Sequence, residues 1–302
     1  MQETRPLEKS NMHSYAVDIR HLKSRHVEQE YRICVARPPE RSATKLPVIY
    51  GLDGTWVSGL IIDSTVTMIF AEDLPQALVV TIGYPFEAGA AASGLRARDL
   101  SPTRRESMEK YLSALAGPNA PPVQTGGAAN FVKFINDELK PLIERDYNGD
   151  PDDATITGNS FGGLFGAYAL LNAPGVFKRY NIVSPSIWWD EQRLVRQEQE
   201  IAAAGRELGG KVFICAGGRE RKEDFPLDKM PPEMREEYDK LDASDRDPLM
   251  VEIVVPFAAR LASRGYGNLE VSQHIFEGET HTSVYVPAIS RGLRTIFGTY
   301  KE

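Results

Sequence analysis

The sequence predicts an α/β fold: a mostly parallel central sheet with helices on both faces and an antiparallel strand pair at its N-terminal edge. Three observations carry this. Short, fully apolar runs such as LPVIYGLDG (46–54), ALVVTIGYP (77–85) and KVFICAGG (211–218) read as strands buried on both faces. Segments of helical length and spacing separate them. The two opening runs, SYAVDIRH and EYRICVARPP, instead alternate apolar and polar residues, as a half-exposed antiparallel pair does.

Taken in order, the segment from Trp56 to Leu74 has helical spacing between the first two buried strands. From Phe86 to Thr125 the pattern breaks into a Gly-, Pro-, Ala- and Arg-rich excursion with one short helix expected at TRRESMEKYLSAL. The run 130–147 is an amphipathic helix with apolar positions at Phe131, Phe134, Ile135, Leu139, Leu142 and Ile143. DATITGNSFGGLFGAYALL reads as strand, sharp turn and helix, and RYNIVSPSIWW as a further strand. The segment 191–208 reads as a helix before the KVFICAGG strand. Residues 219–247 form a charged excursion, read as a solvated face or a lid. A helix (251–265), a last strand (269–278) and a last helix (284–300) close the chain. Nothing marks a boundary, so all 302 residues are read as a single domain.

Composition narrows the function classes. Apolar residues make up 42% and charged residues 25%, enough to bury a sizeable core. The net charge of −7 argues against nucleic acid or an anionic membrane surface as partner. No run is long enough to span a bilayer, and no signal-like apolar stretch opens the chain. A cytoplasmic location is therefore expected, or a periplasmic or secreted one if an export signal once preceded the sequence. Cys34 and Cys215 are widely spaced in strand-like runs and read as buried thiols; neither a disulfide framework nor a metal cluster is expected.

The chemistry is carried by Gly158-Asn159-Ser160-Phe161-Gly162, a G-x-S-x-G match. The pattern gains meaning from its context. A β-branched strand ends at the first glycine and a small-residue helix begins just after the serine, the placement a nucleophile elbow in an α/β-hydrolase fold requires. The Phe161 amide then lies at a helix N-terminus, where free N–H groups and the dipole favour an oxyanion. A serine hydroxyl needs a base, and in this fold the partners follow in the order serine, acid, histidine. Two histidines follow Ser160. His274 falls within the last strand, whereas His281 lies in the loop beyond it and is the expected base. His13, His21 and His26 precede the elbow and fit the order badly. The acid should follow the KVFICAGG strand, where Glu220, Glu223 and Asp224 are candidates. Glu220 is closest to the strand end and comes first, Asp224 second; a serine–histidine pair without a carboxylate is the remaining alternative. The second oxyanion donor is expected at the Thr55 amide, after the close turn that Gly54 allows.

Seven segments, LPVIYGLDG, VTIGYP, RARDLSPT, GGAANFVKFINDELKPLIERDY, TITGNSFGGLFGAYALL, NIVSPSIWWD and GETHTSV, stand in the order found in a known family. The chain resembles the esterases that include esterase D-like enzymes and siderophore esterases of the enterobactin-esterase type. The resemblance implies that Ser160 and His281 are catalytic and that the Thr55 and Phe161 amides form the oxyanion hole. It places the acid near Glu220, although GGRERKED departs from the Gly-x-Glu pattern of relatives, some of which work with serine and histidine alone. It suggests that Arg96 of RARDLSPT either meets an anionic substrate or pins its loop through an Arg–Asp pair. It suggests that Trp188 and Trp189 either line an aromatic pocket wall or pack in the core. The expected substrate is a small-molecule ester, with a ferric siderophore suggested by the family, and no cofactor is expected. The alternatives are a carboxylesterase or thioesterase on small acyl groups, S-formylglutathione included, and a ligand-binding homologue.

Overall fold

The computed structural model describes residues 15–40, 42–224, 230–246 and 250–300. His13 and residues 225–229 and 247 of the charged excursion lie outside them. Eight strands form one sheet: β1 (Ala16–Lys23), β2 (Glu30–Arg37), β3 (Leu46–Gly51), β4 (Leu78–Gly83), β5 (Gly149–Asn159), β6 (Arg179–Val183), β7 (Gly209–Gly217) and β8 (Asn268–Phe276). Their spatial order is β1-β2-β4-β3-β5-β6-β7-β8. The β1–β2 and β2–β4 pairings are antiparallel and the other pairings parallel.

The central parallel strands β3 and β4 are apolar because both faces are covered, whereas the edge strand β8 alternates and is half-exposed. Within β3, Val48 and Tyr50 point into one core while Ile49 points into the other; Leu78, Val80 and Val79 divide likewise in β4. Helices α1 (Gly54–Phe70) and α11 (Tyr285–Phe297) cover one face, packing Ile61, Val66, Ile289 and Leu293 beneath them. The opposite face is covered by α4 (Ala128–Phe134), α5 (Lys140–Tyr147), α6 (Phe161–Asn172), α7 (Trp189–Ala203) and α10 (Met250–Ser263). There Phe134 stacks on Tyr31 and Phe131, with Tyr31 and Phe134 ring centres 4.3 Å apart, and Phe165 meets Phe131 edge-on. Cys34 and Cys215 are buried free thiols. Among the described residues, no helix is long and apolar enough to cross a membrane.

The structure differs from the sequence reading in four places, one being that the strand read over RYNIVSPSIWW ends at Val183. The excursion after Phe86 is more ordered than expected. Besides α3 (Glu106–Ala116) it contains α2 (Ala91–Leu100), which includes the RARDL run. That helix is fixed by tertiary contacts. Ala92 and Ala97 are buried, and the fully buried Asp99 accepts hydrogen bonds from Tyr31 at 2.6 Å, Tyr84 at 3.0 Å and Arg98 at 2.7 Å. The helix over 128–147 is interrupted by a π-helical turn at Ile135–Leu139. Finally, α7 opens two residues early, through three successive left-handed residues, Asp190, Glu191 and Gln192 (φ 52°, 54° and 58°). Arg196 holds that turn by donating to the Asp190 and Glu191 carbonyls. Of the charged excursion, the structure describes α8 (Pro232–Asp239) and α9 (Ala243–Arg246), which pack beside α3 and α7.

Candidate active site

Ser160 sits between β5 and α6 with φ 62° and ψ −118°, a backbone conformation that L-residues rarely adopt. Such a residue costs about 1–3 kcal/mol and persists only where its surroundings over-determine it. Here they do. The Ser160 amide donates to the Val183 carbonyl at 3.0 Å, and its carbonyl accepts from Leu164 at 2.8 Å and Ser186 at 3.2 Å. The turn also needs missing side chains. A Cβ on Gly158 would lie 2.6 Å from the Gly162 carbonyl carbon, and one on Gly163 would lie 2.5 Å from the Val183 carbonyl oxygen. Gly162 is different: a Cβ there would make ordinary contacts, the nearest at 3.4 Å. Close packing at the turn thus requires glycine at 158 and 163 but not at 162.

His281 lies in the loop between β8 and α11. That loop is folded on itself by the Thr280 amide donating to Ser283 Oγ at 2.9 Å. It is tied to the elbow by Asn159 Nδ2, which donates to the His281 carbonyl at 3.2 Å. Glu220 follows β7, its side chain 2% exposed. One carboxylate oxygen accepts from Ser184 Oγ at 2.5 Å and from the Gly217 amide at 2.6 Å; the other stands 2.6 Å from His281 Nδ1. A carboxylate oxygen accepts, so Nδ1 donates this bond, and in the neutral imidazole Nε2 is then the acceptor. That is the tautomer able to take a proton from a serine. Of the other acid candidates, Glu223 is exposed, while Asp224 is half-buried and faces Arg219 at 3.9 Å.

Ser160, Glu220 and His281 line one cavity of about 770 Å³. Its apolar wall comes from Met108, Tyr111 and Leu115 of α3, from Trp188, and from Tyr238 and Leu241 at α8. Arg219, Arg221 and Asp224 stand at its polar side. A smaller cavity of about 340 Å³ beside β1 holds charges that pair with one another, Arg37 with Asp18 and Arg20 with Asp146. His274 meets Arg291 Nη1 at 3.0 Å and stacks edge-on against Phe276, as befits a sheet histidine. His21 pairs with Glu30, and His26 with Asp137.

Two candidate binding residues do not line the cavity. Arg96 grips Asp53 in a two-pronged pair at 2.6 and 2.8 Å and donates to the Asn159 carbonyl at 3.1 Å. Asp99, the partner that sequence proximity suggested, is held by Arg98 and two tyrosines instead. Trp189 is 1% exposed, packs edge-on against Phe161 and donates its indole N–H to Thr103 Oγ1 at 3.1 Å; only Trp188 reaches the wall. Phe161 begins α6 and lines the cavity. Thr55 is the second residue of α1, half-buried and outside the lining. Its hydroxyl accepts from the Tyr84 amide at 2.7 Å, and its amide lies so close to β4 that a Cβ on Gly83 would come within 2.5 Å of it. The supporting residues Ser184, Asn159 and Asp53 carried no separate signal in the sequence, although they stand inside NIVSPSIWWD, TITGNSFGGLFGAYALL and LPVIYGLDG.

Comparison with known proteins places the fold and the family. The model of the family described as "Putative esterase" matches residues 24–238. The ferri-bacillibactin esterase BesA of Bacillus subtilis is 28% identical over 281 residues, 92% of this chain and 88% of that protein. A siderophore enterobactin esterase of Emericella nidulans is 27% identical, covering 72% of this chain and 70% of that one. The crystal structure of the BES protein from Bacillus cereus superposes with a TM-score of 0.74 at 27% identity, covering 98% of this chain and 99% of the other.

Proposed function

The chain belongs to this esterase family, and from that membership and the site we propose that it is a serine ester hydrolase that cleaves siderophore esters through an acyl-enzyme. The observation that carries the reading is the buried Glu220 carboxylate 2.6 Å from His281 Nδ1, in the same cavity as a serine held at a strained elbow.

In this mechanism Ser160 Oγ attacks the ester carbonyl while His281 Nε2 accepts its proton. Glu220 holds the imidazole tautomer and stabilises the imidazolium. The Phe161 amide, at the N-terminus of α6, and the Thr55 amide, at that of α1, donate to the oxyanion, where aligned donors count most. His281 then protonates the leaving alcohol. A water, deprotonated by the same histidine, cleaves the acyl-enzyme. The names of the two relatives support a siderophore as substrate. So does the cavity, whose apolar wall suits aromatic or aliphatic arms and whose Arg219 and Arg221 suit acidic groups.

The test combines p-nitrophenyl butyrate turnover, mass spectrometry after a serine-directed phosphonate, and chromatography of a ferric triester siderophore incubated with the protein. We expect one adduct on Ser160, a fall of about 10⁴-fold or more in Ser160→Ala and His281→Ala, and linear siderophore fragments. Unchanged turnover in Ser160→Ala would overturn the mechanism. Turnover of the butyrate with an untouched siderophore would overturn the substrate.

A further inference from the structure

Arg96 contacts Asp53, shortly before Thr55, and the residues on either side of Ser160, without lining the cavity. Its guanidinium bridges the Asp53 carboxylate, at the N-cap of α1, and the Asn159 carbonyl, in the elbow. The same group lies 5.3 Å from the centre of the Phe161 ring, whose amide begins α6. Asn159 in turn donates from Nδ2 to the His281 carbonyl. One cation on α2 therefore ties together the turn before Thr55, the nucleophile elbow and the loop of the base.

We propose that Arg96 is a positioning residue that sets the two oxyanion amides relative to Ser160 and neutralises Asp53 behind them. The inference rests on the esterase reading above. Two physical points carry it. First, Asp53 is a non-glycine residue at φ 60° with no side-chain cap to its own helix. Its carboxylate is spent on Arg96, so the guanidinium helps hold the turn that aims the α1 N-terminus. Second, that carboxylate is largely buried and lies close to α6, with Oδ2 3.4 Å from where a Gly162 Cβ would stand. An unpaired negative charge there would oppose the charge that develops on the substrate oxygen. The two-pronged pair cancels it, and a planar guanidinium meets two carboxylate oxygens and a carbonyl at once as an ammonium does not.

The experiment measures kcat, KM and inhibition by benzeneboronic acid, a tetrahedral serine adduct, for wild type, Arg96→Met, Arg96→Lys, and Arg96→Met combined with Asp53→Asn. Removing one oxyanion donor lowers turnover by about 10²–10³-fold, and misaiming the pair should do as much. Arg96→Met should therefore lose kcat in that range with KM within about threefold, because the interaction is made in the transition state. Boronate affinity should fall in proportion to kcat/KM. Arg96→Lys should recover about tenfold or less of the loss, for want of the fork. The double variant should turn over faster than Arg96→Met alone, by about tenfold, because it removes the stranded carboxylate. It also serves if the single variant folds poorly.

A double variant no faster than the single one would overturn the charge argument. Unchanged kcat with a raised KM for acidic esters would make Arg96 a substrate contact and overturn the proposal. Full kcat with only a lower melting temperature would reduce Arg96 to a structural brace. Absence of wild-type turnover and of a Ser160 adduct would bring down the esterase reading itself, and this inference with it.

Discussion

Replacing Glu220 by glutamine separates orientation of the base from stability of the fold. Glu220 Oε1 accepts from Ser184 and Gly217, and Oε2 faces His281 Nδ1. A glutamine keeps its oxygen against the two buried donors, so its NH₂ group must face Nδ1. Two donors cannot share that contact, so the imidazole proton moves to Nε2, and the ring loses the acceptor that Ser160 needs. A wrong-tautomer substitution of this kind in a serine hydrolase costs about 10⁴-fold in kcat. That is about 5.4 kcal/mol at 1.36 kcal/mol per decade. The melting temperature of Glu220→Gln should stay near that of wild type. Glu220→Ala strands the Gly217 amide and Ser184 hydroxyl, each worth about 1–3 kcal/mol when buried without a partner, so it should lose activity and several degrees of melting temperature together. The assays are p-nitrophenyl butyrate turnover and differential scanning calorimetry. A Glu220→Gln enzyme within tenfold of wild-type kcat would refute the tautomer argument and leave a serine–histidine pair working without its acid.

Other substitutions test other parts of the structure. Gly158→Ala should abolish turnover or folding, because its methyl would meet the Gly162 backbone at 2.6–2.8 Å, whereas Gly162→Ala, with contacts from 3.4 Å, should keep turnover within about tenfold; equal effects in the two variants would contradict the elbow geometry. Arg105 joins Asp190 at 3.2 Å, Asp242 at 3.1 Å and the buried Asp245 at 3.0 Å. Arg105→Met should destabilise the fold by about 3–5 kcal/mol, as breaking a buried pair does, and should raise KM for bulky esters more than for acetate, since Asp245 lines the cavity; guanidinium unfolding and a series of ester sizes read both effects. Burial lowers the Lys140 ammonium from 10.5 to about 8, while its Nζ donates to the Pro151 and Val176 carbonyls. Because the unfolded chain binds this proton more tightly, the penalty is full below about pH 8 and fades as pH rises toward 10.5; wild-type stability measured against Lys140→Met should therefore climb across that window, and a flat or falling difference would refute it.

The sheet was legible because its central strands β3, β4 and the end of β7 are buried on both faces and so are apolar, while the half-exposed edges alternate. The elbow was legible because β-branched residues, glycines and a small-residue helix must stand together for a serine to adopt φ 62°. The helix α2 was not, because RARDL has no apolar periodicity of its own; its order comes from Asp99 meeting tyrosines 68 and 15 positions away. The partner of Arg96 was hidden for the same reason. A motif gives the order of Arg96 and Asp99 along the chain, and only the turn of the helix decides that Arg96 reaches Asp53, 43 positions away. Trp188 and Trp189 are adjacent and chemically equal, and no spacing rule tells which faces the cavity and which faces Phe161.

The acid could be ranked from chain order, but the reason that Glu220 fits lies in the spacing of the strands. The elbow stands at the end of β5 and Glu220 just past the end of β7, with β6 between them. Neighbouring strands lie about 4.8 Å apart, so roughly 9.6 Å separates the two strand ends, a gap that a serine and a glutamate cannot close directly but an imidazole can bridge. The imidazole arrives from beyond β8, one strand further out, which is why its loop must fold back and why Asn159 holds the His281 carbonyl at the elbow. The strand between has its own part. Ser184, just past the end of β6, takes φ 38° and donates its amide to the Cys215 carbonyl at 2.8 Å, and its hydroxyl meets the inner oxygen of Glu220. Glu223 and Asp224 lie further along the loop, where no strand end supplies a second donor. A carboxylate moved there would reach the histidine only by giving up the Gly217 and Ser184 hydrogen bonds that hold Glu220 in place.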